Sequence, residues 1–178
     1  MWVWGTVTSG IQTIPRDMTY NPGLKRIVFA PVEEMDELHT KQLATLGSTP
    51  LGAGVPAVTL AASSASDLTF EFKVPTAETQ FQVNLGHTHA VFVHFTPRPA
   101  SAVVDEPWMV QCGIGKTLDS LPMLSDDTHL TLRIFIDGSV TEAYFMGGRV
   151  AITSELSLRS WCNRWSYSYS YCYTEQGD

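Results

Sequence analysis

The chain has 178 residues, 44% of them hydrophobic, enough to bury one sizeable core. Its formal net charge of −7 and sequence pI near 5.1, with no cluster of Lys and Arg, remove any electrostatic reason to expect nucleic acid or an anionic membrane as partner. No apolar run approaches the ~20 residues of a bilayer span, and the opening "MWVWGTVTSG" has neither the basic n-region nor the long apolar h-region of a signal peptide.

Met1–Ile14 is rich in Trp, Val, Thr and Ile and suits one or two strands, which Pro15 interrupts because it has no N–H to donate to a ladder. The turn signal "YNPG" precedes "LKRIVFAP", a further strand. In "PVEEMDELHTKQLATLG", Val32, Met35, Leu38 and Leu46 fall near helical spacing. Pro31 stands at the first turn, four acids (Glu33, Glu34, Asp36, Glu37) at the positive end of the dipole, and Gly47 as a stop, so a short helix is expected. Residues 47–66, rich in Gly, Pro, Ala and Ser, read as a connector between two bodies of structure.

From Asp67 onward the text is strand-like. "LTFEFKV" sets Leu68, Phe70, Phe72 and Val74 on one face against Thr69, Glu71 and Lys73, and "FQVNL" and "AVFVHF" follow. Such closely spaced alternating strands indicate an all-β antiparallel sandwich. Leu130, Leu132, Ile134 and Ile136 share a face, Asp137–Gly138 supplies a hairpin turn, "SVTEAYF" returns, and Gly147–Gly148 reverses the chain into "RVAIT". The unit is a three-stranded meander. In the tail "WCNRWSYSYSYCY", the aromatics Trp161, Trp165, Tyr167, Tyr169, Tyr171 and Tyr173 all occupy odd positions. An edge strand, low-complexity sequence without fixed structure, and a stacking platform for sugars or bases all fit that pattern.

Candidate chemistry is sparse. His87 and His89 share a strand face and could direct two imidazoles at one metal, but His94 faces the other way and no third ligand is evident, so no metal site is assigned. Cys112, Cys162 and Cys172 are too few for a disulfide framework or a zinc set, and a Cys162–Cys172 bridge is left open. There is no G-x-S-x-G elbow and no Gly-rich phosphate loop. The meander's Glu142 and Arg149, of opposite sign, read as a cross-strand salt bridge; Asp126–Asp127 reads as a loop. No residue is assigned as catalytic, no cofactor is expected, and carbohydrate-contacting residues are not identified.

Two separated motifs nevertheless resemble glycoside hydrolase family 32, the invertases, fructan hydrolases and fructosyltransferases. "IQTIPRDMTY" (Ile11–Tyr20) with "APVEEMDEL" (Ala30–Leu38) resembles the passage from that family's last propeller blade into its second domain. "LRIFIDGSVTEAYFMGGRVAITS" (Leu132–Ser154) resembles the signature hairpins of its C-terminal β-sandwich. The resemblance implies a remnant of the last blade over residues 1–30, a linker with a short helix over 31–66, a concanavalin-like β-sandwich over 67–160 and a tail of uncertain structure over 161–178. On that resemblance Trp2 and Trp4 would correspond to blade residues near the family's sugar pocket, but a lone blade strand has no pocket and no role is carried over to them.

The departures concern catalysis. The family's propeller carries a nucleophilic Asp in an Asn-Asp-Pro-Asn-Gly-type motif, an Arg-Asp-Pro motif and an acid/base Glu in a Glu-Cys motif, and none of these strings occurs in the sequence. Arg16–Asp17 is followed by Met18 and does not take the Arg-Asp-Pro role. A truncated or fragmentary member, inactive alone, is therefore expected, with packing on a propeller and self-association as the expected partner contacts. Family members are often secreted or vacuolar. Sucrose, fructan or another glycan is the expected ligand class. The rival readings are a stand-alone carbohydrate-binding, lectin-like sandwich and a protein-interaction module with an exposed apolar patch.

Overall fold

A computed structural model of the chain describes residues 2–3, 6–7, 11–42, 44–48, 60–62, 65–85, 89–103, 106–155, 167–169 and 171–175; for 2–3, 6–7, 11, 60–62, 167–169 and 171–175 it describes the backbone alone. In chain order the strands are β1 (Trp2–Val3), β2 (Thr6–Val7), β3 (Ile11–Gln12), β4 (Arg16–Asn21), β5 (Arg26–Pro31), β6 (Leu60–Ala62), β7 (Ala65–Lys73) and β8 (Thr79–Leu85). They continue with β9 (His89–Phe95), β10 (Trp108–Ile114), β11 (Thr117–Met123), β12 (His129–Asp137), β13 (Val140–Phe145), β14 (Val150–Glu155), β15 (Tyr167–Tyr169) and β16 (Tyr171–Glu175).

Two antiparallel sheets form a sandwich. One has the order β11-β10-β9-β8-β16, the other β14-β13-β12-β7. The period-2 patterns read from the sequence decide which faces meet: Phe81, Val83 and Leu85 of β8 are buried while Gln80, Gln82 and Asn84 between them are half-buried. Leu130, Leu132, Ile134 and Ile136 of β12 all lie in the core, with Ala143, Phe145, Val150 and Ile152 beside them and Val83, Val91, Val93, Ile114 and Leu121 across from them. Interdigitated apolar side chains from two inner faces are what hold a sandwich together.

Turn chemistry sets the register. Asp137 pairs Val140 across a two-residue loop whose first residue, Gly138, has φ +55°, and Ile114 pairs Thr117 around Gly115 at φ +56°. Both are tight hairpins of the kind in which glycine supplies positive φ without steric cost. β7 pairs β12 over its whole length, from Ala65↔Asp137 to Lys73↔His129, so the expected meander is the larger part of a four-stranded sheet.

The first five strands make up the N-terminal part. β1, β4 and β5 make a three-stranded sheet, and β2 pairs β3. The helix expected over Pro31–Gly47 is instead a six-residue 3-10 stretch, Glu33–Leu38, with no side-chain cap and no buried residue. Pro31 ends β5, Leu38 is 68% exposed, and Leu46 is also exposed. Among the described residues of this stretch only Val32 is buried, tied to β4's approach by its N–H donating to the Pro15 carbonyl. A short segment with no apolar stripe to bury gains too little from packing to offset the cost of helix nucleation.

Of the connector, residues 49–59 and 63–64 lie outside the described residues, and 60–62 form β6, paired with β15. The tail supplies an edge strand: β16 pairs β8, with Tyr171↔Val83 and Tyr173↔Phe81. Trp161, Cys162 and Trp165 lie outside the described residues, as do Trp4 and His87, so the Cys162–Cys172 bridge, the Trp2–Trp4 reading and the His87–His89 pair fall there in whole or in part. Among the described residues no helix is long and apolar enough to cross a membrane.

Candidate functional site: a buried polar seam

Alternation along β12 and β13 puts Arg133 and Phe135, with Glu142 and Tyr144, on the face turned away from the sandwich core. This face should be wet, yet Glu142 is 3% and Tyr144 1% exposed. The cover is the segment leading into β4. Ile14 N–H donates to Glu142 Oε1 at 2.7 Å, and Arg16 Nη2 donates to Glu142 Oε2 at 2.9 Å and to Thr153 Oγ1 at 2.9 Å. Arg16 Nε donates to the Tyr144 hydroxyl, which in turn donates to Glu142 Oε2, each at 2.9 Å. Every member of this ring is satisfied, the condition under which a buried polar network holds one geometry.

A second cluster continues it across the sheet. The Arg133 guanidinium stacks 4.5 Å from the Phe135 ring centre, Phe135 meets Tyr144 edge-on at 5.9 Å, and Arg16 lies 5.3 Å from the Tyr144 ring centre. Such cation–ring and edge-to-face contacts make one continuous layer. Arg133 also donates to both oxygens of Asp67 on β7 and to Asp36 of the 3-10 stretch, while His39 Nε2 lies 2.7 Å from Asp67 Oδ2. The segment that follows β5 is thereby fastened to the same face as the one that precedes β4.

Burial pulls the Arg16 guanidinium toward a lower pKa, but the hydrogen bond to Glu142, with help from Tyr144, outweighs it, and the net direction is upward. Arg133 follows the same pattern, burial being outweighed by Asp67 and Asp36. The Tyr144 phenol is pushed above its ordinary value by burial and then by the neighbouring Glu142 charge. Both guanidinium groups therefore stay charged and the phenol stays neutral, the states that the hydrogen bonds require.

The donor atoms of Asp36, His39 and Asp67 lie within 4.8 Å of one another, a spacing that also suits a metal. Arg133 already supplies the positive charge to both carboxylates, and a cation would have to displace a guanidinium that donates to each of them. These side chains work as a clamp.

The expected Glu142–Arg149 salt bridge does not form. The register places Glu142 opposite Phe135 and Thr153, whereas Arg149 precedes β14 and its N–H returns to the Met146 carbonyl. Seven residues apart around a three-residue 3-10 turn, the two side chains leave in different directions. Arg149 instead takes Asp127 in a two-pronged pair at 2.6 and 2.7 Å and donates to the Pro122 carbonyl, so the Asp126–Asp127 loop anchors a half-buried cation. His94 pairs Glu78 at 2.7 Å. Cys112 is buried and free, and burial, with the Asp119 charge, pushes its thiol up to about 12, which makes it inert.

The Gly147–Gly148 reversal completes the seam. Gly148 has φ +93°, and a Cβ there would stand 2.2 Å from the Phe29 carbonyl oxygen of β5. The glycine lets the backbone of the N-terminal sheet rest on the meander's turn. Sequence reasoning passed over Arg16, Asp67, Arg133 and Tyr144 as partners. The available signal was Phe135 and Tyr144 on the meander's second face, where two aromatics beside two charges suit a covered surface better than a solvated one.

These features define an antiparallel two-sheet sandwich whose outer face is built to seat the strands before it. The model for the C-terminal domain of glycosyl hydrolases family 32 matches residues 33–156, more than half of the chain, and the chain belongs to that family. Beta-fructofuranosidase, insoluble isoenzyme 7, of Oryza sativa subsp. japonica is 32% identical over 90 residues, covering 44% of this chain and 15% of that protein. The crystal structure of fructan 1-exohydrolase IIa from Cichorium intybus matches 95% of this chain and 41% of its own, at TM-score 0.68 and 18% identity. A glycoside hydrolase family 32 structure from Bifidobacterium adolescentis matches 94% of this chain and 24% of its own, at TM-score 0.52 and 15% identity. Both structural likenesses concern the fold. The chain thus spans under half the length of each of these relatives.

Proposed function

We propose that this chain is the non-catalytic sandwich portion of a β-fructofuranosidase-type protein and that alone it does not cleave fructosyl bonds. In this reading residues 1–30 are strands of the last propeller blade, 31–66 the linker, 67–160 the sandwich and 161–178 its tail. The sandwich serves to seat a catalytic propeller, and the substrates of that larger assembly are β-fructofuranosyl units of sucrose or fructan, as the names of the rice and chicory relatives suggest.

The observation that carries the reading is the Arg16–Glu142–Tyr144 ring. A glycosidase needs two carboxyls facing a sugar, about 5–5.5 Å apart for retention or ~6.5–9.5 Å for inversion. Glu142, the carboxylate most enclosed by the fold, accepts from Ile14, Arg16 and Tyr144. Asp67 and Asp127 are each held by an arginine. These carboxylates have their lone pairs committed to the scaffold.

The test is incubation of the purified chain with sucrose and with inulin, followed by enzymatic assay of released fructose. No release above a boiled control is expected, and release that scales with protein concentration would overturn the reading.

A further inference from the structure

We propose that the outer face of the five-stranded sheet, on the opposite side of the sandwich from the polar seam, is a binding platform for a neutral oligosaccharide chain. The register assembles it from two rungs: Gln82, Phe92, Gly113 and Leu118 stand abreast on β8, β9, β10 and β11, and next to them Gln80, His94, Gln111 and Ser120.

Gly113 shapes the first rung. A Cβ there would lie 2.9 Å from Phe92 Cζ and 3.1 Å from Leu118 Cδ2, so the Phe92 ring reaches over the glycine toward Leu118. Phe92 is half-buried, with the tip of its ring seated over Gly113. A flat aromatic on a sheet surface offers a face to the C–H side of a sugar ring.

The amides beside it are oriented. Gln80 Nε2 donates to Gln82 Oε1 at 3.1 Å, and Gln82 Nε2 donates to Asn84 Oδ1 at 2.5 Å. An amide has two N–H donors and two acceptor lone pairs, so after the relay Gln82 keeps one of each among the described residues. Along a strand these groups repeat every ~6.7 Å, and Gln111 adds a further exposed amide on the neighbouring rung.

Charge selects the ligand class. The rungs hold no Lys, Arg, Asp or Glu, and their single titratable side chain, His94, is paired with Glu78. A phosphate-bearing or nucleic-acid ligand would lack cations here, and a purely apolar ligand would leave the amides unpaired at a cost. Hydroxyl groups that both donate and accept, attached to a ring with an apolar face, meet both halves of the surface.

Affinity electrophoresis of the full chain in native gels cast with inulin or with hydroxyethylcellulose tests the proposal. Retardation in either gel is expected, and which polymer retards identifies the sugar. Gln82→Ala should weaken it about two- to tenfold, the range for loss of one or two neutral hydrogen bonds. Phe92→Leu, which keeps apolar volume but removes the flat ring, should also weaken it. Lys73→Ala on the other sheet should leave it unchanged, with the thermal midpoint of Gln82→Ala and Lys73→Ala as the folding control. Absence of retardation in both gels, retardation that Gln82→Ala and Phe92→Leu leave intact, or retardation abolished by high salt would each overturn the proposal. The outcome is independent of the fructose-release assay, which reads a different property.

Discussion

Glu142 accepts hydrogen bonds from three donors in two distant segments, Ile14 and Arg16 before the sandwich and Tyr144 within it. Removing one partner of such a pair leaves a buried charge, which costs about 3–5 kcal/mol. Arg16→Ala and Glu142→Ala should each lower urea-unfolding stability in that range, and the double variant should cost clearly less than the sum, a coupling that equilibrium denaturation of the four proteins reads directly. Tyr144 adds a pH signature. Its folded pKa is raised above the ordinary 10.0, so its contribution is complete below pH ~10 and is lost as pH rises through the folded value, because the unfolded phenol ionises first. Tyr144→Phe should lower stability at neutral pH and flatten the alkaline fall, measured by denaturant melts on both sides of pH ~10. Thr141 is the opposite case: its Oγ1 is buried among the described residues with no hydrogen-bond partner. Thr141→Val deletes that cost and should raise the thermal midpoint, by about 1 kcal/mol in stability.

At the scale of elements, the two glycines after β13 differ although both have positive φ. A Cβ at Gly147 meets nothing, whereas one at Gly148 strikes the Phe29 carbonyl. Gly147→Ala should cost only backbone strain, about 1–2 kcal/mol. Gly148→Ala adds overpacking and should cost about 3 kcal/mol or more, with circular-dichroism melts separating the two. The edge strand β11 shows another device. In the register set by the Ile114↔Thr117 hairpin, Ser120 and Pro122 turn their main-chain groups outward. The Ser120 N–H is taken by the Asp119 carboxylate, Pro122 has no N–H, and the Pro122 carbonyl is taken by Arg149. An edge blunted in this way resists strand addition by another chain.

At the scale of the molecule, the central strand β13 is buried on both faces, with five of its six residues buried. One face is covered by the partner sheet and the other by the N-terminal segment. Deleting residues 1–31 should therefore uncover Tyr144 and Glu142, lower stability by about 1.5–3 kcal/mol for the phenol alone, and promote self-association detectable by light scattering. The same double burial constrains the central strand of the meander. Its residues answer to two neighbours at once.

Much of this was legible in the chain. Strand alternation, the Asp137–Gly138 turn and the run Leu130, Leu132, Ile134, Ile136 are local features, because a pleated strand sorts its side chains with period 2 whatever it later packs against. From them followed the all-β class, the meander and the inner core face. Local text could not say which charges meet. Arg16 and Glu142 are 126 residues apart, and Arg149 passes over nearby Glu142 for Asp127, since side-chain partners are set by register and by the docking of one sheet on another. The helix expected over Pro31–Gly47 shrank to the 3-10 stretch Glu33–Leu38 for the same reason: its spacing was adequate, but none of that stretch is buried. Period and turn chemistry act within a few residues and can be read in order; burial of a second face depends on what the distant chain lays over it.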